Sequence, residues 1–99
     1  MTIPASSLDL TLHAIADPTR RRILGTLKNS GPSASPRNSG WCAGDIEGRM
    51  RLSQPTISHH MAILTKAGLV DINKQGQWRW YRRNEKALRQ LIKHLRAQL

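Results

Sequence analysis

The sequence predicts a mainly α-helical fold with one β-hairpin, in the order α-α-α-α-β-β-α. Three observations predict it. Apolar residues recur every three or four positions through most of the chain, which is the spacing of one helix face. Residues 70–81 instead alternate apolar and polar side chains on both sides of a turn that contains Gly76. The chain has 99 residues, which is enough for one domain, residues 1–99.

The N-terminal part predicts two helices. The first ends near Ala16 and carries apolar residues at positions i, i+4 and i+7: Leu8, Leu12 and Ile15. Residues 1–7 precede this pattern and are expected to be frayed. The pair Asp17-Pro18 starts the second helix, because aspartate is a good N-cap and proline is tolerated at the first helical position. This helix runs over residues 19–28 and buries three apolar side chains: Ile23, Leu24 and Leu27.

The second helix also carries the cluster Arg20-Arg21-Arg22. These arginines could form a solvated basic face whose aliphatic stems pack on the domain, or they could bind phosphates. The sequence alone favours neither interpretation.

A polar segment follows at residues 29–40. Ten of its twelve residues are Gly, Pro, Ser or Asn, so it has almost nothing to bury in a core. It is also long for a connection inside so small a domain. We expect a flexible loop without secondary structure.

Residues 52–70 predict one helix with a start and a stop signal. Ser53 is expected to accept the backbone N–H of Thr56 as N-cap, and Pro55 falls in the first turn, where no amide donor is needed. One face is apolar and is expected to be buried: Ile57, Met61 and Leu64. Gly68 suits a left-handed residue just past the last turn, so the helix ends near residue 67.

The polar side of this helix is short and almost uncharged, whereas an ordinary solvated face would carry Glu and Lys. Periodicity alone favours a merely solvated face, but the context reverses that preference. Residues 43–49 predict a short helix that buries Ile46, and residues 50–52 make a tight connection to Ser53. Two helices joined in this way form a helix-turn-helix, whose second helix enters the major groove of DNA.

The charge distribution supports a nucleic-acid partner. The chain has 16 Lys and Arg against 6 Asp and Glu, and residues 49–99 hold eleven of these basic and only two of these acidic side chains. A one-sided basic excess is typical of proteins that bind a polyanion. Double-stranded DNA is favoured over an anionic membrane, because the chain has no basic amphipathic helix with large aromatic anchors.

The sequence also bears on the compartment. A single cysteine excludes an intramolecular disulfide and is compatible with a reducing environment. The N-terminus lacks a basic segment followed by an apolar core, and no apolar run approaches membrane-spanning length. We expect a cytoplasmic protein.

The hairpin predicts a wing. Its tip, residues 74–77, is polar and cationic, as expected of a loop that lies along DNA. Trp78 and Trp80 share one face, and a structural role is favoured for both over base stacking. The residues expected to contact the DNA backbone lie beside the second helix of the helix-turn-helix and in the wing: Arg51, Lys66, Lys74, Gln75, Gln77, Arg79 and Arg82.

The last helix begins after Asn84, which can cap it, and runs to the C-terminus. Its apolar stripe and that of the first helix exceed what one small domain needs to bury. We therefore expect the two terminal helices to pair across a twofold axis in a homodimer. The expected dimer contacts are Leu8, Leu12, Ile15, Leu88, Leu91, Ile92, Leu95 and Leu99.

The sequence resembles the ArsR/SmtB family of bacterial repressors. The resemblance rests on the string 17–24, on the string 52–60, and on a hairpin that ends Trp80-Tyr81-Arg82, and it covers nearly the whole chain except residues 29–40. It implies a winged helix-turn-helix homodimer that binds an imperfect inverted repeat in a promoter and represses transcription until an inducer loosens it. By this similarity, four residues fall on positions that commonly meet the major groove: Gln54, Thr56, Ser58 and His59. His60 is instead expected to pack or to bind a phosphate.

The metal sites of that family are incomplete here. Its arsenic, cadmium and lead sensors carry Cys-x-Cys followed by Asp, whereas this chain has Cys42 but Gly44 at the second position. The pattern of its zinc sensors, with His94 as the later histidine, leaves three of four ligand positions to Tyr81, Arg83 and Ala97. His13 and His94 could meet only if the terminal helices pair. The ligand spacing therefore supports neither a metal cofactor nor a metal inducer.

Cys42 itself has three interpretations: a thiol switch, part of an atypical arsenic site, or a plain partly buried cysteine, which is favoured. Three other functions compete with a repressor. A non-specific architectural DNA-binding protein would share the basic half but has no need of a neutral DNA-reading face. A winged helix used only for protein contacts would leave the wing arginines and Lys66 without a role. An enzyme is not expected, because the sequence has no paired carboxylates, nucleophile–base pair or Gly-rich phosphate loop.

Overall fold

The computed structural model describes residues 5–99, with side chains from residue 7 onward. Within these described residues, five helices and three short strands follow one another in the order α1 Ala5–Ile15, α2 Pro18–Thr26, β1 Trp41–Cys42, α3 Ala43–Met50, α4 Gln54–Lys66, β2 Val70–Gln75, β3 Trp78–Arg83 and α5 Glu85–Gln98. The predicted mainly helical fold with a hairpin wing is confirmed. Of the segment expected to be frayed, residues 1–4 lie outside the described residues, whereas residues 5–7 belong to α1.

The strand β1 is absent from the predicted order. It pairs antiparallel with β3, so that Trp41 lies opposite Tyr81 and Cys42 lies opposite Trp80. The sheet order is β1-β3-β2. Two residues are too few to show an alternating pattern in the sequence. This strand forms by pairing with the edge of β3 that β2 leaves unpaired.

The start of α2 forms as predicted. The Asp17 carboxylate accepts the backbone N–H of Arg20 at 3.0 Å, which makes Asp17 the N-cap. This hydrogen bond is the main reason why the pKa of Asp17 lies below its usual value. The helix begins at Pro18, the predicted first helical position, and ends at Thr26 rather than near Lys28. Its three predicted core residues are buried.

The two ends of α4 differ in how well the sequence predicted them. The Ser53 hydroxyl does not accept a backbone N–H; it is instead hydrogen-bonded to the Thr56 hydroxyl at 2.9 Å. The predicted Ser53 cap is therefore wrong in its bonding, although Ser53 does occupy the N-cap position. At the other end Gly68 adopts φ +78°, and the N–H groups of Gly68 and Leu69 donate to the carbonyls of Thr65 and Leu64. This Schellman motif confirms the predicted stop.

The core lies where α4 packs against α1, α3 and the base of the sheet. It combines the apolar faces of the helices with the inner face of the hairpin: Ala14, Ile23, Leu24, Leu27, Trp41, Ile46, Met50, Ile57, Met61, Leu64, Leu69, Val70, Tyr81 and Leu91. The apolar stripe of α4 is completely buried, as predicted. Within residues 5–99, no helix combines the length and the apolar content needed to cross a bilayer.

Residues 29–40 form neither helix nor strand, as predicted. The segment closes on itself, because the N–H of Gly31 donates to the carbonyl of Gly40 at 3.1 Å. Its start is tied to the sheet by the Trp41 indole N–H, which donates to the Asn29 carbonyl at 2.9 Å. The flexibility of this loop stays a prediction.

Gly40 ends the loop in a backbone conformation that residues other than glycine rarely adopt. Its φ is +109°, and a Cβ atom there would lie 2.5 Å from the Tyr81 carbonyl oxygen. We expect Gly40→Ala to lower the free energy of unfolding by about 2–3 kcal/mol, because the substitution adds both backbone strain and a clash with β3. Urea denaturation at one fixed protein concentration would measure the change.

The matched control for this prediction is Gly25→Ala. Gly25 lies inside α2, and a Cβ atom there would meet nothing within 4 Å. Alanine is the better helix former, so this variant is expected to gain up to about 1 kcal/mol. A similar effect of both substitutions would contradict a special role for the conformation of Gly40.

Candidate nucleic-acid interface

The helix α4 presents its polar side to solvent. Opposite the buried stripe, Gln54, Thr56 and His59 are exposed and Ser58 is half-buried. These four predicted base-contacting residues lie in the first two turns of α4, a helix that carries no acidic side chain. The structure therefore leaves them accessible to a DNA groove, and their role in base contact stays a prediction.

The connection between α3 and α4 fixes the angle at which α4 projects. The turn comprises residues 51–53, one residue later than predicted, because α3 continues through Met50. Arg51 adopts φ +56°, a left-handed conformation that is uncommon for a residue other than glycine. The N–H groups of Arg51 and Leu52 both donate to the Glu47 carbonyl. The Arg51 side chain is exposed beside the start of α4.

The hairpin forms as predicted. Its two-residue turn contains Gly76 at φ +59°, and Lys74 lies opposite Arg79 in the register of β2 and β3. All seven residues predicted to contact the DNA backbone are exposed: Arg51, Lys66, Lys74, Gln75, Gln77, Arg79 and Arg82. Their surroundings differ. Arg82 donates to the Ser39 hydroxyl at 2.8 Å, and Lys66 lies in the last turn of α4 beside α1 and α5.

A cleft joins the tip of the hairpin to the helix-turn-helix. We call it the wing cleft; it is lined by Ala43, Gly44, Glu47, Gln54, Gln77, Trp78 and Arg79. The first residue of α4 therefore lies close to two predicted wing contacts, Gln77 and Arg79. The sequence could not show this proximity, because it depends on how α3 packs against β3.

The two hairpin tryptophans have different environments. Trp80 is 7% exposed, whereas Trp78 is 61% exposed. Their rings are stacked, with centroids 6.3 Å apart and an interplanar angle of 24°. The predicted structural role is confirmed for the buried Trp80. Trp78 contributes the stacking contact but stays mostly exposed, because β1 pairs with β3 no further toward the hairpin tip than Trp80.

Arg20 fits neither interpretation of the arginine cluster. Its side chain is 6% exposed, so it neither forms a solvated face nor reaches a phosphate. Its Nε donates to the Ala14 carbonyl at 2.7 Å and its Nη2 to the His13 carbonyl at 3.0 Å, both at the end of α1. Arg21 and Arg22 are exposed, and both interpretations remain open for them.

The third contact of Arg20 reaches α4. Its Nη1 lies 3.3 Å from His60 Nδ1. A guanidinium can only donate, so this contact requires a neutral His60 ring with its proton on Nε2. Burial lowers the pKa of His60, which favours the same neutral form; Asp17 opposes this shift, and Arg20 and His59 add to it. His60 is half-buried against α2, in agreement with the predicted packing role.

Cys42 is a free, buried cysteine at the N-cap of α3. In the part of the chain that the structure describes, no three His, Cys, Asp or Glu side chains come together as a set that could hold a metal ion. His94 is paired with Gln98 one turn further along α5. The expectation that the chain has no metal cofactor stays a prediction.

A helix-turn-helix that exposes a neutral polar helix face, followed by a cationic hairpin, defines a winged helix-turn-helix protein. The chain matches the family described as "Helix-turn-helix domain" over residues 15–73. It is 38% identical to the transcriptional repressor SdpR of Bacillus subtilis over 79 residues, which are 80% of this chain and 78% of that one. The chain belongs to the ArsR family of winged helix-turn-helix transcriptional regulators.

Two solved structures show the same fold. The crystal structure of an ArsR family transcriptional regulator superposes with a TM-score of 0.76 at 21% identity, covering 99% of this chain and 91% of that one. The homodimeric winged helix-turn-helix domain of Mb0332 from Mycobacterium bovis superposes with a TM-score of 0.69 at 20% identity, covering 88% of this chain and 73% of that one. At these identities, both structural similarities establish the fold of this chain and nothing further.

Proposed function

We propose that the protein is a transcriptional repressor that binds an inverted-repeat operator as a homodimer. In each protomer, the first two turns of α4 enter a major groove, and the wing lies along the adjacent backbone. The observation that carries this proposal is the wing cleft, where Gln54 of α4 lies beside Gln77 and Arg79 of the wing. Because these residues lie close together, one duplex can contact the neutral Gln54 and the cationic wing at the same time.

The proposed dimer uses α1 and α5. Three residues of the predicted seam remain exposed in the protomer: Leu12, Ile92 and Leu99. Ile92 is 65% exposed and Leu99 is fully exposed. Four others are half-buried against the core: Leu8, Ile15, Leu88 and Leu95. Leu91 is already buried in the protomer, so its contribution to the proposed dimer is to position α5. The homodimeric state of the Mycobacterium bovis domain supports a homodimer.

The proposal includes no resident metal. Cys42 is buried and lacks the second thiolate of the family's soft-metal pattern, since Gly44 occupies that position. DNA binding is accordingly proposed to be independent of added chelator.

The base-reading role has a direct test in Gln54. We expect Gln54→Ala to weaken binding to an operator selected from random DNA by about 1–3 kcal/mol, because a lost base contact costs about that much. Binding to a scrambled duplex of the same length is expected to stay unchanged. Fluorescence anisotropy at one fixed salt concentration would measure both affinities, since binding to DNA depends strongly on salt.

The control for Gln54 is Gln98→Ala, which truncates the same residue type at the far end of α5. It should bind both duplexes like the unmodified protein. Equal losses on operator and scrambled DNA with Gln54→Ala would reject base contact by this residue. The same pair of measurements applies to His59→Ala.

A non-specific architectural DNA-binding protein is the second candidate. It is favoured by the charge distribution, with eleven basic and two acidic residues in positions 49–99. Such a protein would bind operator and scrambled duplexes with similar affinity, and Gln54→Ala would change neither. The two candidates therefore differ in the specificity ratio rather than in affinity.

A further inference from the structure

The fold leaves Trp78 mostly in solvent. It is the exposed one of the three tryptophans, at 61% exposure, whereas Trp41 and Trp80 are 6% and 7% exposed. It is the first residue of β3 and follows the two-residue turn at the tip of the hairpin. A large aromatic side chain that stays exposed at such a site is typical of a binding surface.

A contact within the protomer restrains the orientation of this side chain. The Trp78 ring is stacked on the buried Trp80, with 6.3 Å between the ring centroids. A ring held in this way loses little conformational entropy when it becomes buried in a complex. Trp78 also lines the wing cleft, together with Gln54 and Arg79.

The geometry points to Trp78 as a DNA contact that packs its indole ring on a deoxyribose of the operator backbone. This inference rests on the proposed function. A duplex keeps its bases paired and stacked, so the ring has no base face to stack on unless a base is flipped out. The sugar offers an apolar surface, and the adjacent phosphate can accept the single N–H of the indole.

Charge favours DNA over a protein partner at this site. The hairpin tip, residues 74–79, carries Lys74 and Arg79 and no acidic side chain. One acidic residue, Glu47, lines the cleft from the α3 side. The proposed dimer seam lies on α1 and α5, so a second copy of the chain has its own apolar surface elsewhere.

A contact to the sugar–phosphate backbone carries no sequence information. We therefore expect Trp78→Ala to weaken binding to operator and scrambled duplexes by the same factor, about fivefold to tenfold. This pattern differs from that of Gln54→Ala, which affects the operator alone. The matched control is Ile72→Ala, which removes another exposed apolar side chain of the hairpin, from the opposite face.

Acrylamide quenching of tryptophan fluorescence tests the contact directly. In the free protein, the quenchable part of the emission should come from Trp78, and the variant Trp78→Phe should lose it. Adding a saturating random-sequence duplex at low salt should protect this emission from acrylamide. Anisotropy of the labelled duplex would show in the same sample that the protein is bound.

Two results would overturn the inference. Emission that stays quenchable on a bound duplex, with unchanged affinity of Trp78→Ala, would remove Trp78 from the DNA interface and leave the proposed function standing. Emission that is already protected without DNA would assign Trp78 to a contact between protein chains. Failure to bind any duplex would instead reject the proposed function itself.

Discussion

Replacing Arg20 by methionine is expected to lower the free energy of unfolding by about 3 kcal/mol, the largest loss we expect from a single polar side chain. Methionine has a similar length but cannot donate a hydrogen bond. The Ala14 carbonyl would lose its 2.7 Å contact with Arg20 Nε inside the protein, and His60 Nδ1 would lose the contact with Arg20 Nη1. Buried acceptors without donors are costly because water cannot replace the lost partner.

This substitution should also affect DNA binding. Arg20 connects the end of α1 to His60, which lies in α4 next to the predicted base contact His59. We expect the folded variant to bind the operator more weakly, because α4 is less well positioned. Urea denaturation and anisotropy under conditions where the variant is folded would measure the two effects.

Arg22→Met is the control for Arg20→Met. Arg22 belongs to the same helix and the same arginine cluster, but it is exposed. Surface substitutions of this kind usually change stability by less than about 0.5 kcal/mol. Equal stability of the two variants would show that the burial of Arg20 has no energetic consequence.

The second large effect concerns the dimer. We expect Ile92→Glu to give a monomer and to weaken operator binding by about 100-fold or more, because two linked α4 helices bind far more tightly than one. Ile92 is a better site for this test than Leu95, since Ile92 is 65% exposed in the protomer. Leu95 packs partly against the core, so a charge there would also destabilise the protomer. Sedimentation velocity would report the oligomeric state.

Ala97→Glu is the control for Ile92→Glu. It adds the same charge to the exposed side of α5, five residues further along and well away from the apolar stripe. This variant should remain a dimer and retain most of its affinity. A dimeric Ile92→Glu variant would contradict the proposed seam.

The sequence predicted best those features that local signals determine. The limits of α4 follow from Pro55 in its first turn and Gly68 past its last, and the hairpin follows from alternation around Gly76. The buried stripe of α4 follows from its spacing alone. Each of these signals lies within a few residues of the structure that it specifies.

The features that the sequence did not predict depend on distant partners. β1 forms against β3, some forty residues later, and Arg20 is buried because the end of α1 and His60 surround it. The exposure of Trp78 depends on where the pairing of β1 with β3 ends. No local pattern distinguishes Arg20 from Arg22, or Trp78 from Trp80, because each pair shares residue type and element.

Sequence-specific binding by a pair of α4 helices is tested most directly by DNase I footprinting on a duplex enriched from random DNA by the purified protein. We expect one protected region of about two helical turns with twofold symmetry, because two protomers would place α4 in successive major grooves. Diffuse protection along the whole duplex, without a preferred site, would contradict it.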